Sequence, residues 1–106
     1  MERLHQDVAR LSDEAAERSI RSLPGWRRDG SYIVKVFDFP TFLAGVGFVR
    51  AVARVAEAQG HHPDIHIVWT RVTLRITTHD EGGLTRRDFA LARAIENRLK
   101  TSRSPR

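Results

Sequence analysis

Apolar residues occupy every second position on both sides of a short break at Thr70-Arg71. The apolar positions are Ile65, Ile67, Trp69, Val72, Leu74 and Ile76. Such alternation predicts two strands that are each buried on one side. A connection this short joins strands only as antiparallel neighbours. The segment 65–77 therefore commits the chain to an antiparallel sheet with one apolar face.

Capping and stop signals predict three helices around these strands. Ser12 is suited to cap a first helix, which Pro24-Gly25 stops. A second helix is expected over residues 40–59, with Gly60 ending it, and a third follows Thr85. The apolar faces predicted from their spacing are Ala16, Ile20 and Leu23 in the first helix, Phe42, Val46, Val49, Ala53 and Ala56 in the second, and Phe89, Ala92, Ile95 and Leu99 in the third.

Two further strands are predicted between the first and second helices. Trp26 opens a short extended piece, Asp29-Gly30 is a hairpin signal, and residues 32–39 alternate and are rich in β-branched and aromatic side chains. The order of elements is then α-β-β-α-β-β-α. We expect an α+β fold in which a four-stranded antiparallel sheet carries three helices packed on one face.

The composition is that of one globular domain. The chain has 106 residues, of which 41% are hydrophobic and 29% charged, so we expect a single domain over residues 1–100 and a basic, disordered tail over 101–106. Cysteine is absent, which excludes disulfides and Cys-ligated zinc. No apolar run has membrane-spanning length and no apolar signal segment is visible, which predicts a cytoplasmic protein without a membrane partner.

The basic surplus leaves the class of binding partner open. There are 18 basic against 13 acidic residues, and all the basic ones except Lys35 and Lys100 are arginines. They are scattered rather than clustered, so nucleic-acid binding is not expected. An acidic or anionic small ligand remains compatible with the charge.

The histidines concentrate at the two ends of the predicted hairpin. His61, His62 and Pro63 follow the second helix, and His79 follows the last strand. With the turn at Thr70-Arg71, antiparallel pairing places residue 65 near residue 77 and Pro63 near His79. Three imidazoles are therefore expected to converge.

Three converging imidazoles admit three interpretations. Acid–base catalysis suits a side chain whose ordinary pKa of about 6.5 lies near neutrality. A three-histidine metal site is the second, although adjacent histidines seldom both reach one metal. The third is a structural role in capping helix ends.

Several neighbouring residues have weaker claims. Glu57 precedes His61 and His62 by about one helical turn and could orient an imidazole. Asp88 is explained as the partner of Thr85 in a capping box, and a role supporting a histidine is its alternative. The remaining expectations are that His66 lies on the wetter face of its strand, that Arg86 and Arg87 are solvated, and that Trp26 and Trp69 belong to the core or an interface.

Three segments together resemble one protein family. They are Glu57 to Pro63, Val68 to Val72, and Thr78 to Thr85 followed by Asp88; Pro24-Gly25-Trp26 and Phe37-Asp38-Phe39 also match. The sequence resembles pterin-4a-carbinolamine dehydratase over roughly residues 10–99. The pairing of His-His-Pro with Thr-His-Asp at this spacing is the specific part of the resemblance.

The resemblance implies a cofactor-free and metal-free hydro-lyase that converts 4a-hydroxytetrahydropterin to quinonoid dihydropterin in tetrahydrobiopterin recycling. It implies that His61, His62 and His79 are catalytic. The pterin would lie against residues 61–63 and 78–81, so that Pro63, Thr78, Asp80 and Glu81 bind it together with the histidines. Glu57 and Asp88 would support the histidines from behind. Dimers or tetramers are also implied, and exposed sheet edges and the helix containing Gly45 and Gly47 favour self-association.

The sequence departs from the family where many members carry Trp-x-Asn after the His-His-Pro segment. Here Ile65-His66-Ile67 stands in that place, which bears on substrate preference. The family also includes non-catalytic scaffolds, namely a transcription coactivator and Rubisco assembly chaperones. A binding module with a protein partner is therefore the alternative to the enzyme.

Overall fold

The structure, a computed structural model, describes residues 9–102 and confirms the predicted order of elements. The helices are α1 (Asp13–Arg21), α2 (Phe42–Gln59) and α3 (Arg86–Ser102), the strands are β1 (Arg27–Asp29), β2 (Tyr32–Asp38), β3 (Asp64–Val68) and β4 (Arg71–Ile76), and a single 3-10 turn spans His79–Glu81. The disordered tail was predicted to begin at residue 101, but α3 continues through Ser102. Positions 103–106 lie outside the described residues.

The four strands form one antiparallel sheet in the order β1-β2-β4-β3. On β4, Val72, Leu74 and Ile76 are completely buried, while Arg71 on the other face is exposed. The apolar face packs against the helices in one continuous core. The antiparallel α+β prediction is therefore confirmed, and none of the helices in residues 9–102 is long and apolar enough to cross a membrane.

The hairpin that joins β3 to β4 turns one residue earlier than predicted. Its two-residue loop is Trp69-Thr70, and Trp69 adopts a positive φ of 54°, as the first central residue of a tight hairpin turn requires. Ile65 pairs with Leu74, whereas the prediction placed it near Thr77. The predicted register was wrong. Of the two environments expected for Trp69, the core is excluded, because the side chain is 76% exposed; an interface stays a prediction.

The face that α2 presents to the sheet is only partly the predicted one, since Ala56 is buried and Val49 packs against the core as expected. Its buried residues are Gly45, Phe48, Val52 and Ala56, whereas Phe42, Val46 and Ala53 are exposed. A Cβ atom at Gly45 would lie 3.5 Å from a methyl group of Val72. A Cβ atom would therefore fit there in ordinary contact, and Gly45 is buried against its own sheet rather than available for self-association.

The faces predicted for α1 and α3 are confirmed. Ala16 and Leu23 of the first helical region are buried, with Ile20 packed at the edge of the core. On α3, Phe89, Ala92 and Ile95 are buried and Leu99 is partly buried. Trp26 also belongs to the core, where its ring meets Phe37 edge-on at 6.2 Å between centroids.

Candidate active site

A cavity of about 260 Å³ lies where α2, β4 and the start of α3 meet. It is lined by Gly60, His61, His62, Thr77, Thr78, His79, Asp80 and Arg87. The three histidines predicted to converge therefore open onto one space. The register explains the meeting: continuing the β3–β4 pairing beyond Asp64 places His61 level with Thr78 and His62 level with Thr77.

The end of α2 delivers His61 into this cavity. Gly60 adopts the left-handed conformation, with φ 63° and ψ 31°. Its N–H donates to the carbonyl of Glu57, and the N–H of His61 donates to that of Ala56, which is the Schellman pattern of helix termination. The chain therefore reverses at Gly60 and directs His61 towards α3.

A buried carboxylate holds His61. The Nε2 atom of His61 lies 2.6 Å from Oδ1 of Asp88, whose side chain has no exposed surface. The other carboxylate oxygen accepts from the N–H of Thr85 at 2.8 Å and from the hydroxyl of Thr78 at 2.9 Å. The capping box is confirmed, and the same carboxylate also meets an imidazole.

An exposed carboxylate lies against His62. Its Nε2 atom is 2.6 Å from Oε2 of Glu57, which lies in the last turn of α2. Both side chains are open to solvent, with 60% and 76% of their surfaces exposed. Two histidines that line the cavity are thus each paired with a carboxylate, one pair buried and the other exposed.

His79 begins the 3-10 turn and is exposed. No hydrogen bond joins its ring to another side chain among residues 9–102. Its neighbour is the Tyr32 ring, which it meets nearly perpendicularly at 6.2 Å between centroids. The Arg75 guanidinium lies 4.2 Å from the centre of the same tyrosine ring and donates to Asp29 at 3.0 Å. The tyrosine is therefore contacted from two directions, and it supports His79 without a hydrogen bond.

Two of the predicted contact residues do not line the cavity. Pro63 is partly buried where β3 begins, and Glu81 is partly buried with its N–H donating to the carbonyl of Thr78. The prediction that Pro63 and His79 are neighbours depended on the predicted register, which was wrong. The histidines converge nonetheless, because both segments continue past the paired strands towards α3.

Sequence analysis missed two residues of this site. Arg87 was expected to be solvated, but it lines the cavity and donates to the carbonyl of Gly60 at 2.8 Å. Its position one residue before Asp88 in the capping box was the available signal. Tyr32 was treated only as a strand residue, and nothing local in the sequence connects it with His79.

The isoleucines that distinguish the segment after His-His-Pro point elsewhere. Ile65 and Ile67 pack against the core, and His66, as predicted, is exposed on the opposite face of β3. Within residues 9–102, no group of three or more His, Cys, Asp and Glu side chains is arranged to hold a metal ion.

Comparison with known proteins gives a consistent result. Residues 9–98 match the family described as "Pterin 4 alpha carbinolamine dehydratase". A protein of Roseiflexus sp. (strain RS-1) named "Putative pterin-4-alpha-carbinolamine dehydratase" is 53% identical over 89 residues, which are 84% of this chain and 96% of that protein. A Mycobacteroides abscessus protein of the same name is 41% identical over 92 residues, covering 87% and 98% of the two chains.

Two solved structures share the fold. The crystal structure of a transcriptional coactivator/pterin dehydratase from Brucella melitensis superposes with a TM-score of 0.80 at 31% identity, covering 84% of this chain and 97% of that one. A pterin dehydratase-like protein identified as a RuBisCO assembly factor in the alpha-carboxysome gives 0.59 at 25% identity, with 70% and 88% covered.

Proposed function

The chain belongs to the pterin 4 alpha carbinolamine dehydratase family, and on that premise we propose that it dehydrates 4a-hydroxytetrahydropterin to quinonoid dihydropterin. The observation that carries this proposal is the opening of His61, His62 and His79 onto one cavity. The proposed setting is the recycling of a tetrahydrobiopterin-type cofactor in the cytoplasm by a homo-oligomer.

The reaction needs one proton donor and one proton acceptor. The C4a–O bond breaks and the hydroxyl leaves as water after gaining a proton, while N5 loses its proton and forms the double bond to C4a. The electron pair that expels the hydroxyl comes from N5, so positioned imidazoles suffice for the proton transfers.

His61 is proposed as the base. Asp88 accepts hydrogen bonds on its second oxygen from the Thr85 N–H and the Thr78 hydroxyl, as an ionised carboxylate does. In the proposed arrangement the first oxygen accepts from Nε2–H of His61, 2.6 Å away. A neutral His61 held in this way keeps its hydrogen on Nε2, which leaves Nδ1 to accept the proton from N5.

His79 is proposed as the acid, and the pair of His62 with Glu57 as a contact for the pterin. His79 lies at the surface, so its imidazolium can be restored from solvent after each turnover. Thr78, Asp80 and Arg87 complete the proposed binding surface because their side chains face the same cavity.

The test is stopped-flow measurement of 4a-hydroxytetrahydropterin dehydration. Wild type should accelerate the reaction, and His79→Ala should lose on the order of a hundredfold in rate, as is typical when a general acid is removed. His66→Ala is the matched control, because His66 is exposed on β3 outside the cavity, and it should keep the wild-type rate. Equal rates for wild type and a folded His61→Ala/His79→Ala variant would overturn the proposal.

A non-catalytic binding module is the second candidate. The observation in its favour is the similarity to a protein identified as a RuBisCO assembly factor. Folded wild type that fails to accelerate dehydration, together with a stoichiometric protein partner recovered from the native cell, would favour this function over the enzyme.

A further inference from the structure

A second cavity, of about 490 Å³, lies between β2, α2 and α3. It is lined by Phe37, Asp38, Phe39, Ala44, Gly47, Phe48, Ala51, Arg98 and Leu99. None of these residues lines the histidine cavity, so the proposed dehydration gives this space no role. Its volume is in the range of about 300–1,000 Å³ that small-molecule sites occupy.

Three phenylalanine rings form the apolar wall of this cavity. Phe48 lies at the centre, 4.7 Å from Phe37 and 5.0 Å from Phe39 between ring centroids. Small residues of α2 leave the space open on the helix side, since a Cβ atom at Gly47 would have no neighbour within 4 Å. Such a wall favours a planar aromatic group, which can stack or meet the rings edge-on.

A basic depression adjoins the aromatic wall. It is lined by Gly47, Arg50, Ala51, Arg54 and Arg98, and it shares Gly47, Ala51 and Arg98 with the larger cavity. The two spaces therefore adjoin along α2 and α3 and together make a groove, with aromatic rings on one side and three guanidinium groups on the other.

Nothing described in residues 9–102 neutralises these three arginines. Arg50 and Arg54 are four residues apart on α2, a spacing at which like charges destabilise a helix, and Arg98 approaches from α3. None of these three arginines takes part in the ion pairs seen in this part of the chain. The one acidic residue of the groove, Asp38, already pairs with Arg71 at 3.2 Å. A bound anion would relieve this repulsion.

We propose that this groove, named here the arginine groove, binds a small aromatic carboxylate. The ring would lie on Phe37, Phe39 and Phe48, and the carboxylate would accept hydrogen bonds from Arg50, Arg54 and Arg98, the side chains best suited to that group. A volume that suits one small molecule favours such a ligand over a peptide. Three guanidinium groups favour an anion over the neutral pterin as its occupant.

Calorimetric titration of the full chain with 2-naphthoate tests the arginine groove. The neutral analogue 2-naphthalenemethanol has the same ring system, and acetate has the carboxylate alone, so both should bind at least about tenfold more weakly. The variants Arg98→Gln and Arg50→Gln/Arg54→Gln should each weaken naphthoate binding about tenfold or more while leaving the alcohol unaffected. All three substitutions are at exposed positions, and circular dichroism checks the fold.

The matched control is Arg18→Gln, which removes the same charge from the exposed face of α1 and should leave naphthoate binding unchanged. Equal affinity for naphthoate and the alcohol would overturn the proposal, as would naphthoate binding that is insensitive to the groove variants. Binding of poly-L-glutamate that depends on the same arginines, without naphthoate binding, would assign them to an acidic protein and also overturn it. His79→Ala should not alter naphthoate binding, which separates this test from the dehydratase assay.

Discussion

Asp88 is the residue at which the fold and the candidate site meet. One of its oxygens accepts the Thr85 N–H at the start of α3, and the other lies against Nε2 of His61. The first contact is local and follows from the three-residue spacing of a capping box. The second spans 27 residues of sequence. A capping residue was therefore predictable, but its imidazole partner depended on where α2 ends in space.

Replacement of Asp88 should destabilise the protein as well as impair the site. Asp88→Ala leaves the buried Thr85 N–H without its acceptor and the Thr78 hydroxyl with fewer partners, so we expect the free energy of unfolding to fall by about 2–3 kcal/mol. Urea denaturation measures the change. Asp80→Ala is the control, because Asp80 is exposed on the same cavity, and it should shift stability by no more than about 0.5 kcal/mol. Equal losses in both variants would contradict the role assigned to the Asp88 carboxylate.

Helix α2 contains glycines with different physical roles. Gly45 faces β4, Gly47 is exposed in the arginine groove, and Gly60 ends the helix in the left-handed conformation. The sequence identified Gly60 as the residue that ends the helix, but it did not distinguish Gly45 from Gly47. Only the packing of the helix shows that Gly45 is buried against the sheet and that Gly47 is exposed.

Alanine substitutions at two of these glycines should have opposite effects on stability. Gly47→Ala meets no neighbour within 4 Å, so it should stabilise the protein by about 0.5–1 kcal/mol through helix propensity. Gly60→Ala should destabilise it by about 1 kcal/mol, because φ at this position is positive. Thermal unfolding of the two variants beside wild type gives both signs. Changes of the same sign in both variants would contradict the different roles assigned to these two glycines.

The β3–β4 hairpin shows how a small shift changes an inference. Alternation predicted both strands and their apolar faces, yet the loop uses Trp69-Thr70 and the register differs by three residues from the expected one. Trp69 is an unusual residue for a positive φ, so turn preferences pointed to the polar pair beside it. The inward positions of Ile65 and Ile67 on β3 then select the observed pairing.

A partly buried cluster of Trp26, Lys35 and Glu96, called here the polar joint, links the sheet to α3. Glu96 accepts from Nζ of Lys35 at 2.7 Å and from the indole N–H of Trp26 at 2.8 Å. Lys35 also lies 4.8 Å from the centre of the Phe37 ring. This joint connects β2, α3 and the segment before β1, which are distant in sequence and adjacent in the core.

Loss of the shared acceptor should cost more than loss of either donor. Glu96→Leu removes the acceptor of both the Lys35 ammonium and the Trp26 N–H, so it should lower the free energy of unfolding by about 2 kcal/mol. Lys35→Met should lower it by about 1 kcal/mol, because Trp26 still donates to Glu96. Urea midpoints compare the two variants, whose side chains are only partly exposed in the wild type. A larger loss in Lys35→Met would contradict the view that Glu96 is the centre of the joint.

Self-association stays a prediction for the whole molecule. Phe42, Leu43 and Val46 are exposed along the start of α2, and such contiguous apolar residues are typical of protein contacts. Leu43 is 79% exposed, so Leu43→Glu should shift the assembly towards monomers without changing the protomer's fold. Sedimentation velocity against protein concentration measures this. Unchanged oligomers in the variant would place the contact elsewhere.

The local pattern of the sequence determined the elements, their order and the residues of the capping box, because alternation, caps and glycine stops act over a few positions. It also brought the three histidines to adjoining segments. The tertiary structure decided which face of α2 is buried, which turn closes the hairpin, and that Tyr32 and Arg75 join the site. Those outcomes depend on packing between elements far apart in the chain, and no short-range pattern encodes them.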